Sequence, residues 1–155
     1  MDLAKNLKID SVSRLHPTAP RQVDTHQTVA EAVELMRQEQ VGCLLVCAEG
    51  RLVGIFTERD LLERVLAPGK PLTTPVAECM TAHPVVVHPK EPIAAAVRRM
   101  EEGGYRHLPV VDEAGRVVGV LSVKRIVHYL VEHFPTTVYN LPPDPAVVPQ
   151  EREGA

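Results

Sequence analysis

The sequence has very few aromatic residues: tryptophan is absent, and phenylalanine and tyrosine together make up 3% of the 155 residues. A core of normal size must therefore be built from aliphatic side chains. Few aromatic rings also leave little surface on which exposed bases could stack. The net charge of −3 gives no basic footprint for nucleic acid. We therefore expect no nucleic-acid partner.

Long hydrophobic runs are also missing, since no apolar stretch approaches the roughly 20 residues that span a bilayer. Residues 1–8 lack the apolar core of a signal peptide. The three cysteines (Cys43, Cys47 and Cys79) form no CxxC motif and have no histidine at zinc spacing. Buried reduced thiols are the expectation, which favours a reducing compartment. The sequence predicts a cytoplasmic protein with no membrane contact and no metal.

What the sequence does contain is a duplication. Residues 29–36 (VAEAVELM) correspond to 93–100 (IAAAVRRM), and residues 50–57 (GRLVGIFT) correspond to 115–122 (GRVVGVLS). The offset is 64 residues early and 65 late, so the second copy has gained one residue near Ala114. Two copies of one supersecondary unit suggest a pseudo-twofold pair with a seam between the halves. Clefts between such elements are where small ligands usually bind.

Within each copy the hydrophobic pattern predicts strand, helix, strand, strand and helix, which is an α/β unit. Apolar residues at i, i+3, i+4 and i+7 predict a helix over 29–38, with Thr28 as N-cap and Glu31 completing a capping box. A hairpin over 41–56 and a helix over 58–65 follow. The second copy is predicted to have a strand at 85–87, a helix over 92–102, strands at 107–111 and 117–121, and a helix over 123–133.

These elements divide the chain into five parts. We predict an N-terminal segment (1–10), a first copy (11–67), a linker rich in proline and threonine (68–77), a second copy (78–134) and a proline-rich tail (135–155). The composition of the tail predicts extended or disordered chain.

The candidate ligand-binding residues lie where the second hairpin strand of each copy meets the last helix of that copy. In the first copy Thr57 caps that helix and Asp60 follows three residues later, and in the second copy Ser122 is the cap. A capping hydroxyl leaves backbone N–H groups and the positive end of the helix dipole facing a docked ligand. An acid in the first turn can accept two hydrogen bonds from a vicinal diol such as ribose. Thr-x-x-Asp is equally a common capping arrangement, so both interpretations stay open at this point.

The ordered, duplicated set of motifs resembles the cystathionine-β-synthase (CBS) domain pair over about residues 10–134. The resemblance is carried by residues 54–60 (GIFTERD), 80–85 (MTAHPV), 105–112 (YRHLPVVD) and 119–125 (GVLSVKR). It implies an α/β fold in which two β-α-β-β-α units are related by a pseudo-twofold axis. It also implies clefts between the hairpins that bind adenosine compounds such as AMP, ADP, ATP, S-adenosylmethionine or NAD-like molecules.

The same resemblance assigns residues to a first cleft. Thr57 and Asp60 match the positions that hold ribose and phosphate, and Lys124 matches a basic position that reaches the phosphates across the seam. Further positions match phosphate-binding bases, the border of the adenine slot, and backbone contacts to the adenine edge. The residues expected in this cleft are Thr18, Ala19, Thr57, Asp60, Tyr105, Arg106, His107, Pro109 and Lys124.

The second copy departs from the family pattern. Arg125 stands where the ribose-holding acid is expected, and a guanidinium cannot accept hydrogen bonds from a diol. A second cleft containing Thr81, His83, Ser122 and Arg125 is therefore left open: it is empty, binds an anion, or holds a ligand differently. The first copy in turn lacks the basic pair of the second copy. This complementary asymmetry predicts one good site made from both halves.

No catalytic motif is present, since the sequence contains no GxSxG, HExxH, Walker or GxGxxG pattern. Two functions from different classes remain. The first is a non-catalytic regulatory module that binds an adenosine nucleotide, with AMP, ADP or ATP foremost, and requires no cofactor. The second is a ligand-independent dimerisation module. A homodimer and an unidentified effector protein fit both functions. The helix residues expected to bind a second copy are Leu61, Leu62 and Val65, together with Ile126, Val127, Leu130 and Val131.

Overall fold

The computed structural model describes residues 3–133, so the predicted tail at 135–155 lies outside the described residues. The chain forms two similar lobes, and each repeat supplies most of one lobe. The chain up to the end of the first repeat contains α1 (Leu3–Ile9), a 3-10 helix (Val12–Leu15), β1 (Gln22–Asp24), α2 (Val29–Glu39), β2 (Cys43–Ala48), β3 (Arg51–Thr57) and α3 (Glu58–Asp60), which continues as a π-helix (Leu61–Leu66).

The second repeat has the same order of elements. Its strand predicted at 85–87 is reduced to a single parallel bridge between Val87 and Val110. A short strand at the start of the repeat was not predicted. The elements are a 3-10 helix (Val76–Glu78), β4 (Thr81–Ala82), α4 (Ile93–Gly103), β5 (His107–Val111), β6 (Val117–Ser122) and α5 (Val123–His133).

Capping interactions and backbone conformation explain where α2 begins and where α4 ends. The Thr28 hydroxyl accepts a hydrogen bond from the Glu31 N–H (3.2 Å), which caps α2 as predicted. The reciprocal bond of the predicted capping box is not formed, because the Glu31 carboxylate accepts from Gln27 Nε2 at 3.2 Å instead. The helix α4 ends at Gly103, and the next residue, Gly104, has a φ of 68°, a left-handed backbone conformation that glycine adopts without strain.

The strands form two sheets with the same order. In the first, β1 lies parallel to β2, β2 pairs antiparallel with β3, and β4 pairs antiparallel with β3. In the second, β5 and β6 are antiparallel, with the Val87 bridge on one edge and a Thr18 bridge to Val120 on the other. The predicted α/β class and the tandem arrangement of the repeats are confirmed.

The outer strand of each sheet comes from the other repeat. Thr81 in β4 pairs with Ile55 of the first repeat. Thr18 exchanges two backbone hydrogen bonds with Val120 of the second repeat, at 3.0 and 2.9 Å. The segment that precedes each repeat's first main strand therefore crosses to the opposite lobe.

A glycine makes each crossing possible. A Cβ on Gly119 would lie 2.9 Å from the Pro17 Cβ and 3.2 Å from the Thr18 carbonyl oxygen. Gly54, the equivalent position in β3, lies under the Met80 side chain and the Thr81 carbonyl. The crossing segments thus pack directly on the backbone of the strands they join, where only glycine leaves room.

Each lobe has its own aliphatic core, and the crossing segments contribute to both. Val12 and Leu15 pack into the second lobe, whereas Val76 and Cys79 pack into the first. A smaller apolar cluster fills the middle of the seam between the hairpins and joins the lobes. It consists of Cys43, Leu45, Ile55 and Val120, all at most 7% exposed.

Candidate functional site

The cap of the first lobe is a complete capping box at the end of β3. The Thr57 hydroxyl accepts from the Asp60 N–H at 3.2 Å, and the Asp60 carboxylate accepts from the Thr57 N–H at 3.0 Å. This reciprocal bonding satisfies two N–H groups at the start of the helix. It also fixes Asp60 in a buried position, with 6% of its surface exposed.

The Asp60 carboxylate has further partners, and one of them comes from the other repeat. The Thr81 hydroxyl donates to Oδ1 at 3.0 Å, the Thr57 hydroxyl donates to Oδ2 at 3.1 Å, and Arg64 Nε lies 3.5 Å from Oδ1. A carboxylate offers about four lone-pair positions. These contacts therefore use the acceptor capacity of Asp60, and a ribose diol must share or replace one of them.

Two further residues of the first lobe border this cap. Cys43 lies opposite Thr57 in the sheet, and burial together with the nearby Asp60 charge raises the pKa of its thiol to about 12. This thiol is therefore protonated and unreactive at neutral pH. The Glu58 N–H donates to the Gly42 carbonyl at 3.1 Å, and the Glu58 carboxylate lies where a Cβ on Gly42 would be.

The basic residues that were predicted to bind phosphate lie at the cap of the second lobe. His107 lies opposite Ser122 in the sheet, and the Arg106 carbonyl accepts from the N–H of the first residue of α5 at 3.0 Å. Burial lowers the pKa of His107, and the charges of Arg106 and Lys124 lower it further. The charge of Glu58, from the first lobe, opposes this shift. The bases therefore lie at the second cap, and the charge of Glu58 reaches His107 from the first lobe.

The structure thus regroups the predicted site residues, because the crossing segments exchange lobes. Thr18 was expected beside Asp60, but it lies on β6 and its hydroxyl donates to the Val120 carbonyl at 3.3 Å. Thr81 was expected in the second cleft and instead bonds Asp60. His83, expected with it, donates its N–H to a carbonyl of β3 at 3.2 Å. The sequence could not show this exchange, since pairing between repeats leaves no periodic pattern.

The remaining predicted residues lie in three different places. Tyr105 is 38% exposed, and its ring lies over Gly103 at the end of α4. Pro109 is buried in β5 opposite Val120 of the seam cluster. Ala19 is exposed, and its carbonyl accepts from the Arg21 guanidinium at 3.4 Å.

A depression that sequence reasoning missed lies between the lobes, at the turn end of the hairpins. It measures about 470 Å³, within the range typical of small-molecule sites. Its wall is mainly aliphatic with one cationic side chain, and both repeats contribute to it. The lining residues are Arg51, Leu52, Val86, Val111, Ala114 and Gly115.

Within residues 3–133, no group of three or more His, Cys, Asp or Glu side chains is arranged to hold a metal ion. Over the same stretch, no helix combines the length and the apolar character needed to cross a membrane.

Comparison with protein-family models identifies the class. The model of the CBS domain matches residues 12–67 and matches again at 76–132. The chain therefore belongs to the CBS domain family and carries two CBS repeats. Its relative in Bacillus subtilis, the CBS domain-containing protein YhcV, is 34% identical over 115 residues, which cover 74% of this chain and 81% of YhcV.

Longer relatives contain a comparable segment as a small part of their length. The chain is 41% identical over 105 residues to the Meiotically up-regulated gene 70 protein of Schizosaccharomyces pombe, and 67% of this chain is covered. It spans only 14% of that protein and 24% of CBSCBSPB1 from Arabidopsis thaliana.

Solved structures share the fold and include ligand complexes. The CBS domain protein PAE2072 from Pyrobaculum aerophilum, complexed with AMP, has a TM-score of 0.71 and 26% identity, covering 79% of this chain and 99% of PAE2072. The CBS domain pair of protein MJ0100, in complex with 5′-methylthioadenosine and S-adenosyl-L-methionine, has a TM-score of 0.72 and 26% identity, covering 78% and 99%. CBS pairs similar to this chain thus bind adenosine compounds.

Proposed function

We propose that this protein is a non-catalytic regulatory module that binds an adenosine-type ligand at the cap of its first lobe. The observation that carries the proposal is the buried Asp60 carboxylate, which both repeats hold beside the seam. An acid in this setting suits the hydroxyls of a ribose. The AMP, S-adenosyl-L-methionine and 5′-methylthioadenosine complexes of similar CBS pairs support the same ligand class.

The contact between Asp60 and Thr81 suggests how binding is coupled to shape. A ribose hydroxyl takes the place of the Thr81 hydroxyl on Asp60 Oδ1, so a bond between the repeats is exchanged for a bond to the ligand. The ligand then favours the lobe arrangement in which this exchange is complete, because a ligand shifts a conformational equilibrium only by its differential affinity. An effector protein that binds only one of the two lobe arrangements would then respond to the ligand.

AMP, ADP or ATP is the first choice of ligand, and S-adenosylmethionine is the second. A cytoplasmic setting fits this choice, and it also fits the three cysteines, which are free and buried.

A thermal-unfolding screen tests the proposal. Adenosine, AMP, ADP, ATP, S-adenosylmethionine and NAD are added to the wild-type protein at increasing concentration. A ligand present at about 100 times its Kd stabilises a protein by about 2.7 kcal/mol, which raises the Tm by about 5–10 °C at this chain length. In Asp60→Asn the shift should vanish when measured against that variant's own unliganded Tm.

The matched control for this screen is Glu63→Gln, an exposed acid on the same helix that pairs with Arg59 at 3.7 Å. This variant should keep the full ligand-induced shift. The proposal fails if no adenosine compound shifts the wild-type Tm, or if Asp60→Asn responds as strongly as the wild type.

A second function, self-association through the last helices, is favoured by exposed apolar side chains. Leu62 is 61% exposed, Leu66 56%, Val123 41% and Val127 52%. The predicted stripes need correction, because Val65 is fully buried in the first core and Leu61 packs against that core. Ile126 and Leu130 pack on the second core. The four exposed residues define the face that we propose contacts a second copy.

Analytical ultracentrifugation tests this face. The wild type should sediment as a dimer without any ligand, and Leu62→Lys with Val127→Lys should shift it to the monomer, because buried lysines are costly at an apolar contact. Val118→Lys is the control, since Val118 is 47% exposed on β6, away from the last helices. A wild type that stays monomeric at high concentration contradicts the proposal.

A further inference from the structure

The two caps share a backbone hydrogen bond but carry different side chains at the two positions that form it. In the first cap the Glu58 N–H donates to the Gly42 carbonyl at 3.1 Å. In the second cap the Val123 N–H donates in the same way to the Arg106 carbonyl at 3.0 Å. These pairs are equivalent at the 64- and 65-residue offsets of the duplication. The first cap therefore has an acid beside a glycine where the second has an apolar residue beside a base.

The missing side chain at Gly42 leaves room for the Glu58 carboxylate. A Cβ on Gly42 would overlap Glu58 Oε1 and would lie 3.1 Å from Glu58 Cδ. The carboxylate therefore lies against the backbone that leads into β2. The next residue, Cys43, is opposite Thr57 in the sheet, so the carboxylate lies at the first cap itself.

The Glu58 carboxylate is not neutralised by another part of the fold. Among residues 3–133 it has no hydrogen-bond or ion-pair partner, whereas the Asp60 carboxylate accepts from the Thr81 hydroxyl. The charge of Glu58 reaches the His107 imidazole across the seam. This charge therefore acts in the space between the lobes, next to the cap that is proposed to hold the ligand.

The position of Glu58 matters for the 5′ end of an adenosine ligand. Glu58 and Asp60 belong to the same first turn of helix, in which each residue rises by about 1.5 Å. A ribose bonded to Asp60 therefore lies close to Glu58, and a negative 5′ substituent meets a charge of the same sign. Such repulsion grows with each charge that is added to the ligand. Arg106 and Lys124 act on His107 in the direction opposite to Glu58, so Glu58 offsets part of their attraction for an anion.

We propose that Glu58 is a specificity-determining residue of the adenosine site and that it selects against a long phosphate chain. The inference rests on the proposed function, because it concerns the ligand that Asp60 holds. Each phosphate added at the 5′ end increases the repulsion by the Glu58 carboxylate, so AMP is preferred to ADP and ADP to ATP. A neutral or cationic 5′ group, such as the sulfonium of S-adenosylmethionine, is not repelled.

Titration calorimetry of the intact chain with adenosine, AMP and ATP tests this assignment. The wild type should bind AMP more tightly than ATP. Glu58→Gln should raise the ratio of ATP affinity to adenosine affinity by about fivefold or more, because a repulsion between like charges is removed. A general effect of the substitution on the cap cancels in this ratio. The gain should shrink between about 0.1 M and about 1 M salt, where the screening length falls from about 10 Å to about 3 Å.

Gly42→Ala tests the position of the carboxylate without removing its charge. The added methyl group displaces the end of the flexible Glu58 side chain, so the same ratio should rise, but by less than in Glu58→Gln. An unchanged ratio in Gly42→Ala would overturn the placement of the carboxylate on which the inference depends.

The matched control is Glu49→Gln, which removes one exposed acid from the hairpin turn between β2 and β3, at the end away from the cap. It should keep the wild-type ratio, and an equal gain in this variant would show an effect of net charge and overturn the inference. Tighter binding of ATP than of AMP by the wild type, or adenosine binding with an unchanged ratio in Glu58→Gln, would overturn the inference and leave the proposed function intact. Failure of all three nucleosides to bind would overturn both.

Discussion

Replacing Asp60 with alanine is expected to lower the free energy of unfolding by about 2–4 kcal/mol. The substitution leaves the Thr57 N–H and the Thr81 hydroxyl without this acceptor beside a buried seam, and it removes the carboxylate that faces Arg64. Part of the lost free energy comes from a contact between the two repeats, because Thr81 belongs to the second repeat and bonds Asp60 of the first. Chemical denaturation at pH 7 measures the change, and the Tm should fall by roughly 5–15 °C.

The equivalent position in the second repeat provides the control for this prediction. Arg125→Ala alters the equivalent position of the second cap, where the side chain has no partner among residues 3–133, so it should change stability by less than about 1 kcal/mol. Equal losses in the two variants would mean that the hydrogen bonds of the Asp60 carboxylate add no stability beyond that of an unpartnered side chain at this position. A loss below about 1 kcal/mol in Asp60→Ala would contradict the role of Asp60 in joining the repeats.

The ion pair between Glu91 and Arg99 should produce the second large effect, and it depends on pH. Arg99 Nη2 donates to Glu91 Oε1 at 2.7 Å, and Nη1 donates to the second oxygen. Hydrogen bonding to Arg99 and to the His88 N–H lowers the pKa of Glu91 from 4.5 to about 2, with burial opposing the shift. A shift of this size contributes about 2–3 kcal/mol at neutral pH.

The direction of the pH dependence of stability follows from the lowered pKa of Glu91. The contribution is complete above about pH 4.5, the value for the unfolded chain, and is lost as the pH falls toward 2. Glu91→Gln should therefore be about 2–3 kcal/mol less stable than the wild type at pH 7, and the gap should shrink to about 1 kcal/mol at pH 3.

Denaturation curves of both proteins at the two pH values check the pH prediction. Glu34→Gln is the comparison, since Glu34 and Arg37 are 50% and 72% exposed and their pairing should matter much less. A gap between wild type and Glu91→Gln that stays constant from pH 7 to pH 3 would show that Glu91 acts by packing rather than by charge.

Most of the secondary structure could be predicted from the sequence because each repeat carries local signals. The helix that Thr28 begins, the two hairpins and α5 all follow from apolar periodicity and capping residues within a few positions of one another. The last helix of the first repeat differs, since it becomes a π-helix over Leu61–Leu66. A one-residue change in helical hydrogen bonding leaves little trace in such a pattern.

The site was predicted less completely, for a physical reason. Thr57 and Asp60 are neighbours in sequence, so their capping box could be foreseen. The partnership of Asp60 with Thr81 depends on a strand that crosses between lobes, and the pattern of either repeat is the same with or without that crossing. The role of Glu58 near His107 likewise exists only across the seam.

An NMR titration with adenosine tests the central claim most directly, because adenosine carries the ribose and the adenine that the first cap is proposed to hold and no phosphate. The backbone amides of Thr57, Asp60 and Thr81 should shift together and saturate with one dissociation constant, while those of Ser122 and Arg125 stay unchanged. Shifts confined to the second cap, or no saturable shift at Asp60, would contradict binding of an adenosine ligand at the first cap.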